Sequence, residues 1–245
     1  VGIQPDILVL RTEHPINDNI RKKVANFCNV DADAVVQSVD MPTIYEVPVR
    51  MQEQKLDETI LRKMGEPVAE TPTLGPWRSF LERRHKATEI VNIGLVGKYD
   101  LQDAYKSILE SLSQAGTYND YKVKTTFINS EKITEDNVAE KLKDMDGIVI
   151  CPGFGQRGIE GKIVAAHYTR THDIPTFGIC LGMQMMVIEF ARNVLGYEDA
   201  NSREMDEKTE HNVIDIMEDQ KNITNMGGTM RLGAYECILK QGSRV

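Results

Sequence analysis

Two glycines flank a cysteine in Gly178-Ile179-Cys180-Leu181-Gly182-Met183-Gln184. Pro175 to Ile179 before it reads as a buried strand, and the stretch from Cys180 to Leu195 reads as a helix. A nucleophile on a sharp strand-to-helix turn needs glycine two residues before and two after it, because side chains there would clash. Such a turn pushes the thiol out over a helix N-terminus, whose dipole favours a thiolate. The N–H of the next residue, Leu181, is left free to hold an oxyanion. Alone, the pattern fits a structural cysteine in a glycine-bearing turn equally well. Its place in a series of βα units favours the nucleophile.

One strand earlier stands Cys151-Pro152-Gly153-Phe154-Gly155-Gln156-Arg157-Gly158. Glycines directly after a strand suit a loop whose amides approach a ligand closely, and equally suit a turn that needs positive φ. Set one strand before the elbow, the loop offers a second oxyanion donor, the N–H of Gly153. A thiol facing two peptide amides predicts acyl transfer through a thioester.

The elements that must position these loops alternate regularly from Ile90 onward. Ile90 to Val96 reads as a strand stopping at Gly97, and Asp103 to Ala115 as a helix closed by Gly116. Val123 to Ile128 alternates as a strand, Thr134-Glu135-Asp136 caps a helix, and Gly147 to Ile150 is a strand again. Gly161 to Thr171 then forms a helix. Repeated βα units predict an α/β fold, a doubly wound, mostly parallel sheet with flanking helices and ligands at the carboxyl ends of its strands.

Ahead of this lies a fragment of a second α/β domain. Ile7 to Leu10 and Ala34 to Val36 read as buried strands, around a helix capped by Asn17 or Asp18 and carrying Ile20, Val24 and Phe27 on one face. A further helix pattern uses Val49, Leu56, Ile60, Leu61 and Met64. Pro67, Pro72 and Pro76 break the rhythm afterwards, which predicts an ordered linker over 65–88, with Trp77 and Phe80 docked on a neighbour and Arg83-Arg84-His85-Lys86 as a solvated face. The domains expected are therefore 1–64, the linker 65–88, and 89–245.

Composition bounds the function. Of 245 residues, 29 are Lys or Arg and 37 are Asp or Glu, a net charge of −8 that argues against sequence-independent nucleic-acid binding. No apolar run approaches the ~20 residues of a membrane span. Cys28, Cys151, Cys180 and Cys237 are widely spaced, which argues against a disulfide framework or structural zinc and fits a reducing, cytoplasmic setting.

The string from Gly178 to Gln184 resembles the nucleophile motif of class I glutamine amidotransferases. Longer strings resemble the CTP synthases among them: Gly2-Ile3-Gln4-Pro5-Asp6, Phe27-Cys28-Asn29-Val30, Gly94-Leu95-Val96-Gly97-Lys98-Tyr99, Asp103-Ala104-Tyr105-Lys106-Ser107, Gly153-Phe154-Gly155 and Gly227-Gly228-Thr229-Met230-Arg231-Leu232-Gly233. The resemblance implies a class I glutaminase-like fold behind the end of an amidoligase domain. It implies a C–N ligase that makes CTP from UTP, ATP and glutamine, with glutamine as amide donor. It also implies ammonia passing through an internal tunnel, GTP as allosteric activator, magnesium with the nucleotides, CTP as a further nucleotide partner, and a cytoplasmic homotetramer, with filament formation left open. No nucleic acid or membrane partner is implied, and the glutaminase step itself needs no cofactor or metal.

Position by position, the resemblance makes Cys180 the nucleophile and Gly153 and Leu181 the oxyanion amides. It places Gly182, Met183, Gln184 and Glu204 around the glutamine, the last two at its α-amino and α-carboxyl end. Lys23 falls where UTP or CTP phosphates are held, and Val39, Asp40 and Met41 where the adenine of ATP lies. Read without the resemblance, Lys23 is an exposed helix lysine and Glu204 a solvated carboxylate.

Two differences stand out. The family's oxyanion loop reads Pro-Gly-Gly-Phe-Gly, whereas here Cys151-Pro152-Gly153-Phe154-Gly155 places a proline, with no N–H, where a donor is expected. The family's general base is a His two residues before a Glu, and the only His after Cys180 is His211, in Glu210-His211-Asn212-Val213. The amidoligase P-loop and magnesium ligands are likewise expected outside the chain. The sequence therefore predicts a central section of a longer enzyme that, as it stands, turns over glutamine poorly for want of a base. Two alternatives stay open: another class I amidotransferase, or a fragment serving only in assembly.

Overall fold

The structure, a computed structural model, describes residues 2–68, 70–99, 102–217, 220, 233–234 and 236–242. By contacts the chain divides into two compact units, residues 1–89 with 113–122, and residues 90–112 with 123–245.

In the first unit, β1 (Leu8–Thr12) and β2 (Val35–Val39) pair in parallel, Leu8 opposite Val35 and Thr12 opposite Val39. Their connection is α1 (Asp18–Cys28), capped by the Asn17 side chain accepting from the Ile20 N–H and closed by Asn29 in the left-handed region at φ 53°. The expected apolar face of α1 is not what it buries. Ala25 is its buried residue, Val24 is half-buried, and Phe27 is 93% exposed. A two-stranded sheet is too narrow to cover a whole helical stripe.

The single helix expected over Val49 to Met64 is two, α2 (Val47–Glu53) and α3 (Leu56–Met64), because Lys55 turns left-handed at φ 60°. Gln54, at the break, caps the edge of β2. Its carbonyl oxygen accepts from the Gln37 N–H and its amide donates to the Gln37 carbonyl, both at 2.8 Å. One side chain thus stands in for a neighbouring strand and satisfies two edge groups.

Within the stretch expected as a linker, Gly75–Lys86 forms α4, with Pro76 in its first turn. Trp77 and Phe80 pack with Tyr45, Val49 and Leu81, and the Trp77 indole N–H donates to the Tyr45 carbonyl at 2.8 Å. The basic run is engaged with partners. Arg83 forks onto both Asp120 oxygens at 2.9 Å, Arg84 donates to Ser113, and His85 contacts Glu46.

The second unit carries the sheet β4–β3–β5–β6, built from β3 (Glu89–Gly97), β4 (Tyr121–Asn129), β5 (Gly147–Ile150) and β6 (Thr176–Gly178). β5 runs parallel to both β3 and β6. Its side chains alternate. Ile148 and Ile150 enter one core with Val96, Leu142, Ala165 and Ala166, while Val149 and Cys151 enter another with Leu95 and Tyr105. Both faces are covered, as the βα rhythm predicts.

The helices are α5 (Lys106–Tyr118), α6 (Val138–Leu142), α7 (Ile159–Thr171) and α8 (Leu181–Asn193). α5 runs through Gly116, the expected cap. Asp120, left-handed at φ 64°, makes the turn after it. α6 starts beyond the expected cap, with Asn137 before its first residue. A parallel pair, β7 (Asn201–Ser202) and β8 (Asn212–Ile214), follows α8. Among the described residues no helix is long and apolar enough to cross a membrane.

α7 and α8 are joined by a buried charge. Glu189 is 1% exposed and accepts from Arg170 Nε and Nη2 at 2.9 and 2.8 Å, with His167 Nδ1 at 2.9 Å. Burial by itself would raise the Glu189 pKa; the bonds from Arg170 and His167 outweigh it and hold the carboxyl below its usual value. A folded pKa below the unfolded one gives stability that is present at neutral pH and lost as pH falls through the folded value. Because Arg170 and His167 are partly exposed and screened, Glu189→Gln should cost about 2 kcal/mol. Thermal melts should show that loss at neutral pH and show it shrinking below about pH 4. Equal melting points at neutral pH would mean that the pair contributes nothing.

Candidate active site

β6 ends where the Ile179 N–H bonds the Ile150 carbonyl at 3.0 Å, and the chain then turns sharply. Cys180 sits at φ 54°, ψ −113°, a region unfavourable to any side chain, immediately before α8. Its own side chain is exposed. The flanking glycines are required sterically. A Cβ on Gly182 would lie 1.9 Å from the Ile150 carbonyl oxygen, and one on Gly178 would lie 2.6 Å from the Met186 sulfur and 2.7 Å from the Met183 nitrogen. Leu181 opens α8, so its N–H has no acceptor within the helix.

The loop after β5 meets this turn. Gly153 is buried, and a Cβ there would lie 3.0 Å from Lys98 Cε and 3.5 Å from Leu181 Cδ2. Gly155 and Gly158 take positive φ, 69° and 74°, which re-aims the loop into α7. The expected oxyanion residues Gly153 and Leu181 are thus neighbours beside Cys180. Gln184 lies in the first turn of α8, half-buried, its N–H bonded to the Cys180 carbonyl at 3.1 Å, and Met183 beside it is exposed.

Glu204 is exposed on the loop between β7 and β8. Its neighbour Met205 is buried with Leu181, Met185 and Ile188, and the Met205 carbonyl accepts from Gln156 Nε2 at 2.6 Å. One residue therefore ties the Glu204 loop to α8 and to the oxyanion loop. Neither Gln156 nor Met205 was singled out from sequence; an isolated Gln in a glycine loop carries no local signal.

Lys162 on α7 was also missed. It is fully buried, and its Nζ donates to the Cys151 carbonyl at 2.7 Å. Burial lowers its pKa to about 8, with Lys98 pushing the same way and Cys151 and Cys180 opposing. The signal available was one charge inside Gly161-Lys162-Ile163-Val164-Ala165-Ala166. Lys98 is 4% exposed beside the loop, and burial, then Arg157, lowers its pKa. Cys151 is buried and its thiol is pushed up to about 12, the inert cysteine expected.

His211 does not read as a loose base. It meets Asp199 through Nδ1 at 2.5 Å and stacks on Tyr197, closing the 199–211 segment. The His211 bond, with backbone N–H groups of residues 210 and 211, lowers the Asp199 pKa to about 2. In the first unit, Lys23 is exposed on α1. Val39, Asp40 and Met41 line a cleft of about 400 Å³ at the carboxyl end of β2, with Arg21, Arg50 and Gln54 on its walls. Among the described residues no group of three or more His, Cys, Asp or Glu could hold a metal ion. The string from Gly227 to Gly233 lies, but for Gly233, outside the described residues.

A strained, exposed cysteine between a parallel strand and a helix, beside a loop that holds the buried Gly153, is the arrangement that a thiol nucleophile of acyl transfer requires. Residues 100–245 match the family model for glutamine amidotransferase class-I, and residues 1–65 match that for the CTP synthase N-terminus. The chain belongs to the class I glutamine amidotransferase family.

Along its whole length the chain is similar to curated CTP synthases. It is 75% identical to that of Bacteroides thetaiotaomicron and 63% identical to that of Porphyromonas gingivalis, covering 100% of this chain and 46% of each relative. The chain thus spans about half the length of the curated relatives it matches. A solved structure, the Trypanosoma brucei CTPS glutaminase domain with bound acivicin, superposes with TM-score 0.51 and 39% identity over 54% of this chain and 52% of that one.

Proposed function

We propose that the protein carrying this chain is a CTP synthase and that residues 89–245 supply its glutaminase. The single observation carrying this reading is Cys180, exposed at φ 54° beside the loop that holds the buried Gly153. The Cys180 thiolate attacks the carboxamide carbon of glutamine. The tetrahedral oxyanion is held by the N–H groups of Gly153 and Leu181, the proton given up by the thiol passes to the nitrogen so that ammonia leaves, and water hydrolyses the thioester to glutamate, returning a proton to the thiol. Gln184 and Glu204 grip the amino-acid end of the substrate, with Gly182 and Met183 forming the backbone around it.

Residues 1–64 belong, on this reading, to the amidoligase domain that aminates UTP at the expense of ATP, joined by 65–88. The cleft at Val39, Asp40 and Met41 suits an adenine ring, since Pro15, Val47 and Met51 also line it and it opens at the carboxyl end of a parallel strand. Lys23 serves a UTP or CTP phosphate. Magnesium accompanies ATP, with ligands outside this chain, and GTP activates. Homotetramer assembly, filaments and a cytoplasmic setting complete the proposal. Another class I amidotransferase is disfavoured by the residue 1–65 match.

Iodoacetamide, itself a carboxamide, tests the site in the full-length protein. Cys180 should be alkylated at least ~100-fold faster than Cys151, and glutamine should protect it. Cys180 reacting no faster than Cys28 or Cys237, with no protection, would leave only an assembly role.

A further inference from the structure

Lys162 is fully buried and, among the described residues, has no carboxylate partner. The ionisable groups acting on it are Cys151, Lys98 and Cys180. Cys151 lies at the end of β5 with its thiol pushed up to about 12, so it stays neutral. Lys98, beyond β3, is a second basic group, its pKa lowered by burial and by Arg157 and raised by Glu131. Burying an unpaired ammonium is costly, and an apolar side chain in its place would pack without that penalty. The 2.7 Å bond to the Cys151 carbonyl uses one of its three N–H donors, and packing gives no further reason for a charge here.

The chemistry gives one. Of the three groups, only Cys180 gains negative charge during glutamine hydrolysis, first as thiolate and then through the oxyanion beside it. The Lys162 Nζ is also 3.8 Å from where a Cβ on Gly153 would stand, and it holds the carbonyl two residues before that glycine. Pro152, between the two, fixes its own φ, so anchoring the Cys151 carbonyl constrains the peptide plane that follows.

We propose that Lys162 is a positioning residue of the glutaminase: its ammonium fixes the Cys151 carbonyl, and with it the direction of the Gly153 amide, and places positive charge within electrostatic range of the Cys180 sulfur. The inference rests on the glutaminase reading above. Its supporting trait is a pKa of about 8, which leaves the ammonium mostly protonated at neutral pH yet close to titration.

The test uses the full-length protein with Lys162→Met and Lys162→Gln, the latter keeping a donor without charge. Two quantities are read: kcat and KM for glutamine hydrolysis, and the pH dependence of Cys180 alkylation by iodoacetamide. Lys162→Met should lower kcat ~10- to 100-fold with KM changed less than about 3-fold, as loss of oxyanion support does. The alkylation inflection should move upward by roughly half a pH unit or more. Lys162→Gln should recover part of kcat and none of the inflection. An unshifted inflection with kcat within about 2-fold of the wild type in a folded Lys162→Met protein would overturn the proposal. Should Lys162→Met fail to fold, the same two readings on Lys162→Gln decide: the inflection must still rise, and an unmoved one overturns it. A wild type that hydrolyses no glutamine would defeat the glutaminase reading instead, and the alkylation arm would still judge Lys162.

Discussion

Replacing Cys180 with glycine should leave the full-length protein more stable and without glutamine-dependent activity. The cysteine holds φ 54°, ψ −113°, a conformation that costs a side-chain-bearing residue of order 1–3 kcal/mol and glycine almost nothing. Its side chain is exposed, so little packing is lost with it. For a unit of this size, Cys180→Gly should raise Tm by about 2–12 °C. Cys180→Ser, which keeps a side chain at the same φ, should leave Tm unchanged. Both variants should lose glutamine hydrolysis ~10⁴-fold or more, because the covalent route disappears with the thiol. Ammonia supplied directly should still support CTP formation in both. A Cys180→Gly protein that melts lower than wild type would show that the turn is not strained, and loss of the ammonia-dependent reaction would show that the lesion is not confined to the glutaminase.

The elbow was legible in the sequence because its requirements are local. A strand, a turn too tight for side chains and a helix start all fall within Thr176 to Gln184, and each leaves a residue-type signature. The parallel order of β3, β5 and β6 followed from the same βα rhythm. What escaped depended on distant partners. The α2–α3 break and the Gln54 clamp answer to the open edge of β2, 17 residues away in sequence. α4 was masked by prolines, although Pro76 in a first helical turn is itself a start signal. Lys162 showed in the sequence only as one charge in an apolar run, because burial of a lysine is decided by what packs over it. α7 presses so closely on the Ser130–Lys132 turn that a Cβ on Gly161 would lie 1.8 Å from the Ser130 carbonyl oxygen. From the same helix Lys162 reaches the Cys151 carbonyl at the end of β5, where it is fully buried.

Gly182→Ala should be among the most destabilising single-methyl changes in the second unit. The added Cβ would stand 1.9 Å from the Ile150 oxygen and 2.7 Å from its carbon, and the obstacle is backbone rather than the movable end of a side chain. That carbonyl also accepts from the Ile179 N–H, so moving it away breaks the bond that starts the elbow. A backbone shift with loss of a buried bond should cost about 3 kcal/mol or more, lowering Tm by roughly 6–12 °C. Gly155→Ala is the comparison, since its Cβ would meet nothing within 4 Å and its penalty is confined to φ 69°, about 1 kcal/mol. At Gly178 the Cβ would meet both the Met186 sulfur, which can swing aside, and the Met183 nitrogen, which cannot, so Gly178→Ala should fall between the two. Thermal melts of the three variants, with Cys180 alkylation rates alongside, separate the effects. If Gly182→Ala melts with Gly155→Ala and alkylates normally, α8 has room to retreat from β5, and close packing is not what aims the thiol.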